Sequence, residues 1–177
     1  MNKQDFNQLW DHFRQKYGVY LRTLEAIPAD RYYTHPVPGM RSPAELVVHI
    51  SGSVVRDITE GVAKGRITAD ESSEVKVAAD LGSKPALMAF AKECFDRASA
   101  AAARIGDAEL AAMVPTPWKA TWPGTVAIRI MNDEFVHHRG QLSAFVRLCG
   151  GEPPFLWGFG DNAAEYQPRG VPATAGT

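Results

Sequence analysis

Glu134 and His138 stand four residues apart in the run Asn132-Asp133-Glu134-Phe135-Val136-His137-His138-Arg139-Gly140-Gln141-Leu142. On a helix that spacing stacks the two side chains one turn apart on a single face. Followed by spacing, the inward line of this segment reads Ala127, Ile130, Glu134, His138, Gln141, Phe145 and Leu148. Three polar residues therefore fill consecutive turns of an otherwise apolar stripe. A buried carboxylate costs several kcal/mol unless something pairs with it. The histidine four residues on can do that, and so can a metal ion. An upstream helix repeats the anomaly, with His49 on the line of Leu46, Ile50, Ser53 and Val54.

Two helices that each aim imidazole or carboxylate groups inward form the usual metal site of a helical bundle. His49, Glu134 and His138 would supply three N and O donors. Such a set leaves coordination positions open and suits a catalytic Zn²⁺ or another late divalent ion. The plainer readings are a hydrogen-bonded core histidine at position 49 and a simple i,i+4 ion pair between Glu134 and His138. His137 competes with His138 through its own i,i+4 pair with Asp133, and the apolar line decides for His138. His137 is then expected to flank the site or to bond a neighbouring carboxylate such as Asp133. His12, between Asp11 and Phe13, and His35, in a proline-rich loop, read as surface residues; Tyr32, Tyr33 and His35 are candidates to rim a cleft. Arg139 and Arg147, with Trp118 and Trp122, are candidates for an anionic or aromatic ligand, and otherwise read as solvated cations and packing anchors.

Positioning those side chains requires long helices. Phe6, Leu9, Trp10, Phe13, Tyr17, Tyr20, Leu21 and Leu24 recur at three- and four-residue steps, predicting a first helix from Lys3 to Ala26. Pro36, Pro38 and Gly39 make Pro28 to Arg41 a loop. Ser42-Pro43-Ala44-Glu45 then starts the second helix with a capping serine, a proline at the first helical position and a capping-box glutamate. This helix fades around Gly61 to Gly65. Arg66 to Gly82 is polar and reads as a connection. Ser83 and Pro85 open a third helix reaching Ile105, with Leu87, Phe90, Ala91, Cys94, Phe95 and Ala98 inward. Asp107 to Met113 reads as a short helix and Val114 to Pro123 as a loop. The last long helix runs from Gly124 or Thr125 to Cys149, stopped by Gly150-Gly151 and Pro153-Pro154. Four helical patterns without strand alternation predict an all-α four-helix bundle with a long crossover between helices 2 and 3. Residues 1–166 form one domain on this reading, and 167–177 a flexible tail.

Composition agrees with a globular chain. Of 177 residues, 45% are apolar and 22% charged, and 19 basic against 20 acidic residues leave a formal net charge of -1. No basic stripe supports a nucleic-acid partner. No run of ~18 apolar residues supports a membrane span, and no leader-like segment follows Met1. Cys94 and Cys149 form no CxxC pair, as expected of reduced thiols in a cytoplasmic protein.

Glu134-Phe135-Val136-His137-His138-Arg139-Gly140-Gln141-Leu142, followed by Val146 to Pro154, resembles the signature of the DinB/YfiT-like superfamily. Ser42 to Ile50 resembles the second helix of that family with its lone metal-binding histidine. The resemblance spans nearly the whole chain. It implies a bundle of up-down-down-up type, a nickel or zinc site commonly built from three histidines, and a homodimer. His49 and His138 match two of those ligands, and Glu134 stands where the family most often has histidine. By the same resemblance, the expected function is a metal-dependent transferase of low-molecular-weight thiols (bacillithiol or mycothiol type) or a hydrolase, acting on a small molecule. The alternative is a non-catalytic bundle whose metal is structural or lost.

Overall fold

The computed structural model describes residues 1–169. It is mostly helical, and four long helical elements carry the fold. α1 (Lys3–Ala26) is capped by Asn2 in a reciprocal pair with Asp5. The second long element abuts three segments, α2 (Pro43–Val48), a π-helical stretch (His49–Asp57) and α3 (Ile58–Lys64). Ser42 starts it as its spacing predicts: the Ser42 hydroxyl accepts from the Glu45 amide, and Glu45 Oε2 accepts from the Ser42 amide at 2.8 Å. α5 (Lys84–Arg104) follows the Ser83 cap, and α7 (Gly124–Leu148) is the last long helix.

Contacts between helix ends set the arrangement. The Tyr32 hydroxyl donates to the Leu24 carbonyl at 2.6 Å, and the Ala44 amide to the Tyr32 carbonyl, so α2 begins where α1 ends. Lys84 Nζ donates to the carbonyls of Glu25 and Ile27, which puts the start of α5 at that same end. Lys3 Nζ reaches the carbonyls of Ala102 and Ile105 at the opposite end. α6 (Asp107–Ala111) lies there too, and the Gly124 amide bonds the Ala112 carbonyl to launch α7. α1 and α7 thus start at one end of the bundle, and α2 and α5 at the other. The π-helical stretch and α3 pack against both α5 and α7.

Two features depart from the sequence expectation. The stretch read as a connection holds α4 (Glu74–Leu81), which packs on α2. The stretch read as a loop holds a small antiparallel hairpin, β1 (Met113–Pro115) with β2 (Thr121–Pro123). Three-residue strands with a proline in each are too short to show alternation. Met113 accordingly belongs to β1 rather than to the short helix.

The core is aromatic in its first half. Phe13 meets Phe135 with centroids 4.7 Å apart, and Tyr17 stacks on Phe95 at 4.4 Å. The hydroxyls of Tyr17 and Tyr20 each lie 3.0 Å from Ser51 Oγ, and Tyr17 also donates to the Ala91 carbonyl at 2.7 Å. Buried hydroxyls without partners are costly, so this network satisfies the polar end of an otherwise apolar layer. Gln167 is docked: its side chain donates to the carbonyls of Gly160 and Asn162, and its own carbonyl accepts from Arg14. The rest of the expected tail, from 170 on, lies outside the described residues. Among the described residues, no helix is long and apolar enough to cross a membrane.

Candidate metal centre

Of the predicted inward line of α7, Ala127, His138 and Phe145 are buried, but Ile130, Glu134, Gln141 and Leu148 are displaced from the core. Met131, Phe135, His138 and Leu142 are buried, while half of the Glu134 side chain and 69% of Leu148 are exposed. The reason is volume. Phe135 fills the space between Phe13, Tyr17 and Tyr20, and this rotates Glu134 toward the groove between α7 and the second long helix. His138 belongs to both lines, being one turn from Glu134 and buried beside Phe135 and Leu142.

His49, Glu134 and His138 nevertheless come together. Each offers a ligand atom, and the three atoms lie within 4.8 Å of one another. The His49 and His138 rings meet edge to face, with centroids 4.7 Å apart. His138 Nε2 is 3.3 Å from Glu134 Oε2.

Both imidazoles are held from behind. His49 Nδ1 lies 2.8 Å from Glu74 Oε1, which also accepts from the Ser53 hydroxyl at 2.6 Å. His49 and Ser53 sit four residues apart within the π-helical stretch, the rare geometry that recurs at functional sites. Arg41 Nη2 lies 3.2 Å from the other Glu74 oxygen. His138 Nδ1 lies 2.8 Å from Gln141 Oε1. A ring that donates from Nδ1 to a fixed acceptor presents its Nε2 lone pair on the opposite side, which is how metal-ligating histidines are oriented. The donor set thus fits a divalent cation.

The electrostatics point the same way. Burial pushes the Glu74 carboxyl up, but hydrogen bonds from His49 and Ser53, with the electrostatic pull of the Arg41 guanidinium, outweigh it and hold the group below its usual value. Burial lowers His138, and the nearby His49 and His137 rings add to this against the opposing pull of Gln141 and Glu134. The downward shift favours the neutral ring, the form whose lone pair a ligand needs.

The three side chains open into a cavity of about 450 Å³ that is also lined by Arg41, Val54, Ile58, Ile130, Trp118 and Trp122. Its mouth is tied by the Trp118 indole, which donates to Glu71 Oε1 at 3.0 Å. Other candidates fall elsewhere. His137 is exposed and neighbours Gln141 rather than bonding Asp133. His12 packs edge-on against Phe159, and His35 contacts the Met40 carbonyl. Tyr32 does not rim a cleft, being fully buried. Arg139 is no solvated cation: it is 4% exposed, and its Nη1 lacks a partner among the described residues. Arg147 stays on the surface.

Sequence reasoning missed Glu74 and Arg41. Glu74 lies on a helix that reads as polar linker, and nothing local marks its carboxylate as the partner of a histidine 25 residues upstream.

Comparison with known proteins agrees with this architecture. No curated protein matches the sequence. The crystal structure of a DinB-like protein (YjoA) from Bacillus subtilis superposes with a TM-score of 0.67 at 23% identity, covering 92% of this chain and 99% of that one. The family model of the DinB superfamily matches residues 12–142, from within α1 through the His138–Gln141 turn. His49, Glu134 and His138 therefore lie inside the matched region, and the chain belongs to the DinB superfamily.

Proposed function

We propose that this protein is a divalent-metal-dependent enzyme whose cation, zinc or nickel, is held by His49, Glu134 and His138. The observation that carries the reading is the paired orientation of the two histidines, each fixed through Nδ1, with Nε2 left for the cluster. A cation held by these three residues would supply Lewis-acid chemistry suited to activating a thiol or water as a nucleophile near neutral pH.

The chain's own residues do the rest. Glu74, fixed by Ser53 and Arg41, holds the His49 tautomer, and Gln141 holds that of His138. Trp118, Trp122, Val54, Ile58 and Ile130 give the cavity an apolar wall for a small-molecule substrate to lie against. Neither Cys94 nor Cys149 lines it, so neither thiol of this chain is the nucleophile in this reading. We take the reaction to be transfer of a low-molecular-weight thiol of the bacillithiol or mycothiol kind, with hydrolysis as the same site's alternative. A reducing cytoplasm, matching two free cysteines, and a homodimer complete the reading.

The exposure of Glu134 supports a second reading. A ligand whose side chain is 49% exposed is held less firmly than the two histidines, as expected if the metal is structural or lost. Cobalt-loaded protein titrated with cysteine separates the two. A new thiol-dependent absorption band supports the transferase, whereas an unchanged spectrum supports a closed or non-catalytic site.

A further inference from the structure

The cavity has walls that the ligand triad leaves unused. Trp118 and Trp122 stack on each other with centroids 5.7 Å apart and planes 23° from parallel, and both line the cavity. Among the described residues, Arg41 is the only arginine or lysine that lines it. The Arg41 side chain is 38% exposed, and among the described residues its one ion pair is with Glu74 through Nη2. A guanidinium carries five N–H donors in a planar fork, so most of those of Arg41 stay available. Glu71, the acid at the mouth, already accepts the Trp118 indole N–H and so steadies that ring. Glu134 repels anions, which leaves Arg41 as the group of this chain able to receive one.

We propose that the cavity takes a substrate with a flat apolar body and an anionic group, the body lying on the Trp118–Trp122 wall and the anion on Arg41. This deepens the proposed function and rests on it only in placing the substrate beside the cluster. The volume of about 450 Å³ suits one small organic molecule. Face-to-face contact with indole rewards planar rings, and a charge-assisted hydrogen bond to Arg41 rewards a carboxylate over a neutral polar group.

The test is calorimetric binding of benzoate, benzyl alcohol and acetate to the full chain, both metal-loaded and chelator-treated, with metal content measured alongside. Benzoate is expected to bind ~10-fold or more tighter than benzyl alcohol, the size of one charged hydrogen bond. It should likewise bind more tightly than acetate, which lacks the ring. Arg41→Gln should erase the preference over benzyl alcohol, and Trp118→Ala the preference over acetate. Both preferences should persist after chelation. Equal binding of benzoate and benzyl alcohol would overturn the proposal, as would a preference that survives in Arg41→Gln. A preference present only with metal would overturn it too, by assigning the anion to the cation. Failure of the metal centre itself would show separately, as absence of metal in both forms, and would leave the benzoate comparison readable.

Discussion

His49 and Glu74, 25 residues apart in sequence, are joined by a 2.8 Å hydrogen bond between the π-helical stretch and α4. The bond fixes which imidazole nitrogen faces the cluster, and Arg41 and Ser53 fix the carboxylate in turn. If His49 is a metal ligand as proposed, its orientation depends on Glu74, which is outside the ligand set. Glu74→Gln keeps the shape but removes the charge and one acceptor. It should weaken metal binding ~10–100-fold without unfolding the chain. Competition against a chromogenic chelator measures this, and an unchanged affinity would separate Glu74 from the site.

The two adjacent histidines of α7 should behave differently. His138→Ala should abolish metal binding, because His138 is buried within the cluster. His137→Ala should stay within ~10-fold of the parent, since its exposed ring only flanks His138 and Gln141. The reverse pattern would show that the ligand register is wrong.

Ser51 ties two buried tyrosines. Ser51→Ala leaves the Tyr20 hydroxyl without its partner, while Tyr17 keeps the Ala91 carbonyl. One orphaned buried hydroxyl should cost about 1–3 kcal/mol in urea denaturation. A loss below ~0.5 kcal/mol would mean the layer relaxes or admits water.

Lys16 is buried near Arg139, and its ammonium bonds Asn132. Burial and the charge of Arg139 bring it down from 10.5 to about 8, against the opposing pull of Asp133. The unfolded chain therefore binds this proton more tightly, and stability should rise with pH between about 8 and 10.5. Lys16→Met should flatten that rise and stabilise the protein at neutral pH. Urea midpoints for both chains across the window measure it, and parallel curves would contradict the assignment.

Helix starts were legible because caps are local: Ser42 with Glu45, and Ser83 before Pro85, mark their helices within four residues. The cluster was legible because three polar residues interrupt apolar stripes. The half-exposure of Glu134 was not, since Phe135 claims the inward position through contacts with α1 that spacing cannot reveal. Glu74, the π-helical register and the Trp118–Glu71 tie depend on tertiary pairing, and local pattern carries no trace of it.

Elemental analysis of untagged, chelator-free protein beside its His49→Ala variant tests the central claim most directly. The account predicts about one zinc or nickel ion per chain, lost in the variant, as three ligands and an open position require. Metal-free protein that also fails to take up added Zn²⁺ or Ni²⁺ would contradict it, leaving Glu134 and His138 as a simple ion pair at the edge of a groove.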